Sequence, residues 1–337
     1  MHGFGSMLRD YLEYYRISQS EFADRLGITQ KHMNEIINGK TRLTNELIIS
    51  ISILTDIDAN LIFFVENKKK TYDELIEKYK NKKNINKMLN SFHLNEMVNK
   101  KWLKLKDSVE FTQNYLDLVD YMGIRDTNLI DNYLSKRYLF KKAYNNADNL
   151  KIFLWVRHCD IVTKGIEVPE YKSSKLKDLL DELKIVRMKK FNKERLISLF
   201  KKYGIILCIE DALKGSKVRG CVKVMINTPA IYMTTYKKEK SSFYYTLYHE
   251  LMHLKTDYNK LKSKTMVEAD EKDIDIKALN EMLDEKIYNQ ILDDYDNKDN
   301  IALKNNIPLC FLYSRLAYEG KIKYNSSEYI NHIERIE

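Results

Sequence analysis

The chain of 337 residues has few cysteines, and none are paired in sequence: Cys159, Cys208, Cys221 and Cys310 show no C-x-x-C spacing. That scatter excludes a thiolate metal cluster and offers no disulfide framework, so the four read as buried thiols of a reducing cytoplasm. No apolar segment with a small-residue cleavage site opens the sequence, so nothing directs export. The most apolar stretch, Leu47 to Val65, is broken by Asp56 and Asp58 and cannot span a bilayer. A cytoplasmic protein with no membrane partner is therefore expected. What remains is a globular composition, 44% hydrophobic and 31% charged, long enough for two or three domains with sizeable cores.

Histidine is also scarce, which makes its placement informative. Two of the seven histidines fall in His249-Glu250-Leu251-Met252-His253. On a helix, residues four apart lie one above the other, so both imidazoles can reach one cation. Glu250 points roughly 100° round the helix from His249, where it can hydrogen-bond a water beside the metal without ligating it. This H-E-x-x-H arrangement is that of zinc peptidases. The approach, Ser241 to Tyr248, supplies a serine cap and aromatic packing residues, and no proline interrupts. The bland reading of a buried histidine is a hydrogen-bonded core residue, so a third ligand is needed.

A catalytic zinc takes three protein ligands and keeps one open position. Residues 266–300 hold twelve acids against four lysines. Most of those carboxylates are expected to be solvated or to complement a helix dipole. The periodicity of Ile274, Ala278, Met282, Leu283, Ile287 and Ile291 predicts a helix with these residues inward. Glu271, one turn before Ile274, shares that face and is the first choice as ligand; Glu268, at nearly the same azimuth, is the alternative.

The N-terminal region lacks excess charge of either sign: residues 1–70 hold nine basic and nine acidic side chains. Any case for nucleic acid there must come from pattern. Residues 7–65 read as five short helices. Ser18-Gln19-Ser20-Glu21 is a capping box, Gly27 ends the helix it opens, and Ile28-Thr29 leads into a helix over Gln30–Ile37. This is the helix–turn–helix layout that places its second helix in the major groove. Gln30, Lys31 and Asn34 would face base edges, and Asn38, Lys40 and Arg42 would sit over phosphates. The stretch SQSEFADRLGITQKHMNEIINGKTRLT at 18–44 resembles the Xre/HigA class of DNA-binding domains.

The run from Lys68 to Lys87 marks a boundary or a solvated helix. Residues 90–200 read as helical, with Trp102, Trp155 and His158 as core and Arg187, Lys189 and Lys190 on a solvated face. Strand-like segments follow at Ile205–Ile209, Val222–Ile226 and Ala230–Thr235, so a small sheet precedes the motif helix.

Three blocks resemble the ImmA/IrrE metallopeptidase family: Gly215-Ser216-Lys217-Val218-Arg219-Gly220, Phe243 to Leu254, and Asn306-Ile307-Pro308-Leu309 through Arg315 to Gly320. The family's downstream pattern is glutamate, alanine three residues later, then asparagine or aspartate, then Phe-Ala. It is matched here at Glu271, Asp275 and Ala278, with Ile274 in place of the alanine and Lys277 in place of the phenylalanine. The resemblance implies a mainly α protein with a small β-sheet. Its expected parts are a helix-turn-helix bundle at 1–67, a helical middle region at 68–200 and an α+β zincin-like domain with a C-terminal helical segment at 201–337. It implies Zn²⁺ held by His249, His253 and Glu271, with Glu250 as general base and then acid in peptide hydrolysis. It further implies that the substrate is a repressor or antitoxin, cleaved to control transcription in stress, mobile-element or toxin–antitoxin regulation. The expected partners are double-stranded DNA, that protein substrate and a second copy of the chain. The alternative is a regulator or antitoxin without proteolysis, whose metal site is structural or sensory.

Overall fold

The computed structural model describes residues 3–107, 109–124, 129–137, 139–142, 148–263 and 271–336, which form two compact units, Met1–Tyr121 and Met122–Glu337. Among the described residues no helix is long and apolar enough to cross a membrane.

The first unit begins with α1 (Phe4–Tyr15), α2 (Gln19–Leu26), α3 (Gln30–Ile37), α4 (Asn45–Thr55) and α5 (Ala59–Tyr79). Each start after the first has a side-chain cap: Ser18, Thr29, Thr44 and Asp58 accept from backbone N–H groups two or three residues into their helices. Gly27, at φ +69°, closes α2 in the left-handed conformation that glycine adopts without steric cost. Phe4, Leu8, Phe22, Met33, Ile51 and Ile62 are buried together as the core. α1 and α3 touch so closely that a methyl group on Gly5 would lie 2.3 Å from the Ile36 carbonyl oxygen. That contact sets the pose of α3.

The expected boundary at residue 67 falls inside a helix. α5 continues through Lys68–Lys70 to Tyr79, with Lys69 and Lys70 paired one turn on to Asp73 and Glu74. Lys68 is half-buried and pairs with Glu110 at 3.1 Å, so the run is only in part a solvated helix face. α6 (Lys82–Ser91), α7 (Leu94–Asn99) and α8 (Phe111–Met122) complete the helices of this part of the chain.

In the second unit, α9 (Ile130–Arg137) and β1 (Leu139–Lys142) precede α10 (Asn149–Val162), α11 (Leu176–Val186) and α12 (Lys193–Lys202). Strands β2 (Ile206–Ile209), β3 (Val218–Met225) and β4 (Thr228–Met233) follow, in a sheet of order β1-β3-β4-β2. β3 and β4 form an antiparallel hairpin, β2 joins β4 in parallel, and β1 pairs antiparallel with β3. The three expected strands occur within a few residues of their predicted places. β1 was not foreseen, because its strand character rests on pairing with β3, about eighty positions away, and not on local pattern.

α11 and α12 do not stand apart as a middle region. Leu176, Leu179, Leu183, Leu196 and Phe200 are buried in one core with the sheet residues Leu207, Val222 and Ile231. α10 is tied to the sheet through polar groups: Trp155 Nε1 donates to the Glu210 carbonyl at 2.8 Å, and Asp160 pairs with Lys223 while accepting from Tyr232. α13 (Lys240–Ser263) carries the His-Glu-x-x-His motif and packs across β3 and β4. Ser241 and Ser242 lie within its first turn and do not cap it; the Lys240 N–H donates instead to the Glu334 carbonyl.

α14 (Glu271–Met282) lies along α13, and α15 (Glu285–Asp293), α16 (Lys298–Lys304), α17 (Leu309–Tyr318) and α18 (Ser327–Ile330) close the unit. The single helix expected from Ile274 to Ile291 is two helices, restarted by an Asp284 cap. The periodicity survives because Ile274, Ala278, Met282, Leu283 and Ile291 are all buried, whereas Ile287 is half-buried and Tyr288 takes the inner place.

Arg187 corrects another expectation. It is buried, not solvated, at the end of α11. Its Nε donates to the Asn306 carbonyl at 3.1 Å. Its Nη1 faces the Tyr248 hydroxyl at 3.2 Å and the Glu281 and Met282 carbonyls at 3.1 and 3.0 Å. One guanidinium therefore joins the residue before His249 to the C-terminal end of α14, where carbonyls lack helical partners.

Candidate metal centre and DNA-facing helix

α13 places His249 and His253 one turn apart, and both side chains are fully buried, as is Glu250. Their Nε2 atoms approach to 3.0 Å. The first turn of α14 brings Glu271 against them, with its two carboxylate oxygens 3.3 Å from His249 Nε2 and 3.6 Å from His253 Nε2. Donors 2.0–2.1 Å from a tetrahedral zinc are spaced roughly 3.3 Å from one another, so these three edges fit one ion. His249, His253 and Glu271 form the single group of three or more potential metal ligands among the described residues. Glu268 lies outside the described residues.

Both outer ring nitrogens face carboxylates. His249 Nδ1 lies 2.8 Å from Asp275 Oδ1, one turn beyond Glu271 on α14. His253 Nδ1 lies 3.4 Å from Asp257 Oδ2, one turn further along α13. A carboxylate at Nδ1 favours the Nδ1–H tautomer and leaves the Nε2 lone pair facing inward, as metal-bound histidines are held. Two lone pairs and a carboxylate then converge on one point. A proton there would bridge one of the three pairs, whereas a cation satisfies all three at once. Burial and the neighbouring His249 charge hold His253 below the usual imidazole range, opposed by Glu271 and Asp257.

Neither aspartate was expected in the site. Asp275 was noted only as matching a pattern, and Asp257 not at all, although its four-residue spacing from His253 repeats that of the two histidines. Tyr245, one turn before His249, also joins the group, with its phenol near the Asp275 carboxylate. Burial and that carboxylate hold its phenol well above the usual tyrosine range, so it stays a donor.

Glu250 turns toward β3. A methyl group placed on Gly220 would lie 3.1 Å from Glu250 Oε1 and 3.0 Å from Thr246 Cγ2, so glycine here makes room for the motif helix and its carboxylate. The Gly215–Gly220 block thus meets the histidine motif in space. The centre opens on the α14 side, where the Glu271 side chain is 50% exposed. The cysteines take no part: burial drives Cys159, Cys221 and Cys310 well above the usual thiol range, as befits inert core thiols.

In the first unit, Gln30, Lys31, Asn34, Asn38, Lys40 and Arg42 are all exposed, while Met33, Ile36 and Ile37 hold α3 to the core. The structure joins two of the six: Asn38 Nδ2 donates to Asn34 Oδ1 at 2.7 Å and to the Asn34 carbonyl at 2.8 Å. Arg9, from α1, adds a cation that sequence reading missed, with its Nη2 donating to Asn38 Oδ1 at 3.1 Å. Arg9 and Asn38 are 29 residues apart, and only packing of α1 on α3 brings them together.

No curated protein and no solved structure matches this chain. Residues 8–62 match the helix-turn-helix family, and the first unit carries a helix-turn-helix domain.

Proposed function

We propose that this protein is a DNA-binding regulator whose second unit is a zinc-dependent endopeptidase acting on a repressor or antitoxin. The observation that carries the reading is the convergence of His249 Nε2, His253 Nε2 and the Glu271 carboxylate, with both outer ring nitrogens held by aspartates. The ImmA/IrrE resemblance of the three sequence blocks supports the substrate class. Zinc, when bound, supplies the Lewis acidity that polarises a carbonyl and acidifies water.

The chain's own groups do the rest. Glu250 is positioned beside the histidines but off their face, so its carboxylate takes a proton from water and returns it to the leaving amine. Asp275 and Asp257 keep the imidazoles in one tautomer and one orientation. The test is metal analysis of the purified protein, followed by incubation with candidate repressors with and without a chelator. Metal-dependent cleavage is the expected result; a protein that takes up no zinc at equimolar supply would sink the proposal.

Asp275→Asn is expected to weaken zinc binding 10–100-fold, because an amide cannot hold the Nδ1–H as a carboxylate does. Competition against a chromophoric chelator measures this, and an unchanged affinity would remove Asp275 from the site.

For the first unit, α3 enters the major groove with Gln30, Lys31 and Asn34 toward base edges and Lys40 and Arg42 over phosphates. Lys40→Ala should weaken all DNA sequences alike and reduce the salt slope by about 1, whereas Asn34→Ala should cost about 1–3 kcal/mol on the preferred operator alone. Binding isotherms at several salt concentrations separate the two. A second copy of the chain is the expected partner on DNA, since such domains read paired half-sites. The exposed Ile49, Ile53, Phe63 and Phe64 of α4 and α5 provide apolar surface for it.

The complete burial of His249, Glu250 and His253 favours a second reading, a regulator whose metal is structural or sensory. Zinc uptake without cleavage of any candidate, together with operator binding, would select it.

A further inference from the structure

A cavity of about 180 Å³ opens among the N-terminal turns of α13, the C-terminal turns of α14 and α17, and reaches to within one helical turn of His249 along α13. Tyr245 links the two: it lines the cavity and stands one turn before His249 on α13. Leu279 and Met282, one and two turns beyond Asp275 on α14, form part of the opposite wall. One helical turn is about 5.4 Å, the span of one to two residues of extended peptide.

The wall carries three cations, Arg219, Lys237 and Arg315, against one acid, Glu239. Arg315 is committed elsewhere, its Nε donating to Glu319 at 2.9 Å and its Nη1 to the Leu283 carbonyl at 2.5 Å. Glu239 lies near the Tyr329 phenol. Arg219 differs: its Nε is buried and has no hydrogen-bond partner among the described residues. A buried donor in that state is costly to the free protein, and a ligand acceptor would relieve it. Partial burial and the charge of nearby Arg219 hold the Lys237 ammonium below its usual range, opposed by Glu239, while the residue stays exposed at the cavity wall.

We propose that this cavity is a specificity pocket for an acidic side chain, aspartate or glutamate, one or two residues from the bond to be cleaved, with Arg219 and Lys237 as its anion-binding groups. Aspartate or glutamate suits a cavity of this volume, whose wall includes the rings of Tyr245, Tyr324 and Tyr329 beside the two cations. The proposal rests on the peptidase reading for its substrate but not for its binding chemistry.

The test uses zinc-loaded full-length Glu250→Gln protein and fluorescent hexapeptide pools that differ only by glutamate or glutamine at one fixed position. At least tenfold tighter binding of a glutamate pool is expected, abolished by Arg219→Gln and by Lys237→Gln. Arg219→Lys, which keeps the charge, should retain most of the preference and shows that loss in the glutamine variants is not misfolding. Equal binding of both pools, binding of neither, or a preference that survives both glutamine substitutions overturns the proposal. If wild type hydrolyses both pools equally well, the peptidase reading stands and the pocket falls. If acidic pools bind through Arg219 but wild type cleaves nothing, the pocket stands and the peptidase reading falls.

Discussion

Glu250→Gln is expected to lower peptide hydrolysis by about 10²–10⁴-fold while leaving zinc stoichiometry at one per chain. The amide keeps the size of the carboxylate, so the space that Gly220 leaves for it on β3 remains filled, but it cannot accept a proton at neutral pH. His253→Ala provides the contrast. It removes one of three converging donors and leaves a void in a fully buried site, so zinc and activity should be lost together. Metal analysis and cleavage of the same substrate, measured side by side, separate these outcomes. A Gln variant that still cleaves at the wild-type rate would remove Glu250 from the mechanism.

Arg187→Met should destabilise the second unit by about 3 kcal/mol or more, since hydrogen bonds from a charged donor contribute roughly 1.5–3 kcal/mol each. The substitution leaves the buried Met282 carbonyl and the part-buried Asn306 and Glu281 carbonyls without their shared donor. For a unit of this size the melting midpoint should fall by roughly 6–12 °C. Because the same guanidinium reaches Tyr248, the variant should also bind zinc less tightly at temperatures where it remains folded. Calorimetry of the metal-free proteins decides the first part. A change within about 0.5 kcal/mol, typical of a surface position, would mean that Arg187 does not clamp α11 to α13 and α14.

The helix-turn-helix was legible because each of its signals is local. Ser18 caps three residues from the N–H it accepts, and Thr29 does the same for α3. Gly27 stops α2 through its own backbone freedom. The spacing of His249 and His253 is equally local, as a single turn determines it. Glu271 was reachable through the inward face it shares with Ile274, with Glu268, at nearly the same azimuth, as the alternative.

Other members of the site were out of reach. Asp275 touches His249 across 26 positions, and Gly220 meets Glu250 across thirty, so neither pairing has a periodic signature. Arg187 misled because charged residues near a helix end are usually solvated. The structure buries it because Asn306 and the end of α14 converge on it from about a hundred positions downstream. β1 was hidden for the same reason: its strand pairing depends on a partner distant in the chain.

Sequence alone determined which side chains share a helical face: the two histidines, the offset glutamate and the exposed polar row of α3. Those relations follow from backbone pitch and need no partner. Only tertiary packing decided that α14 delivers Glu271 and Asp275 to α13, that Arg9 reaches α3, and that Arg219 lines a cavity beside Tyr245. Burial of apolar faces drives such encounters without direction, so side-chain shape, and not spacing along the chain, selects which polar groups meet.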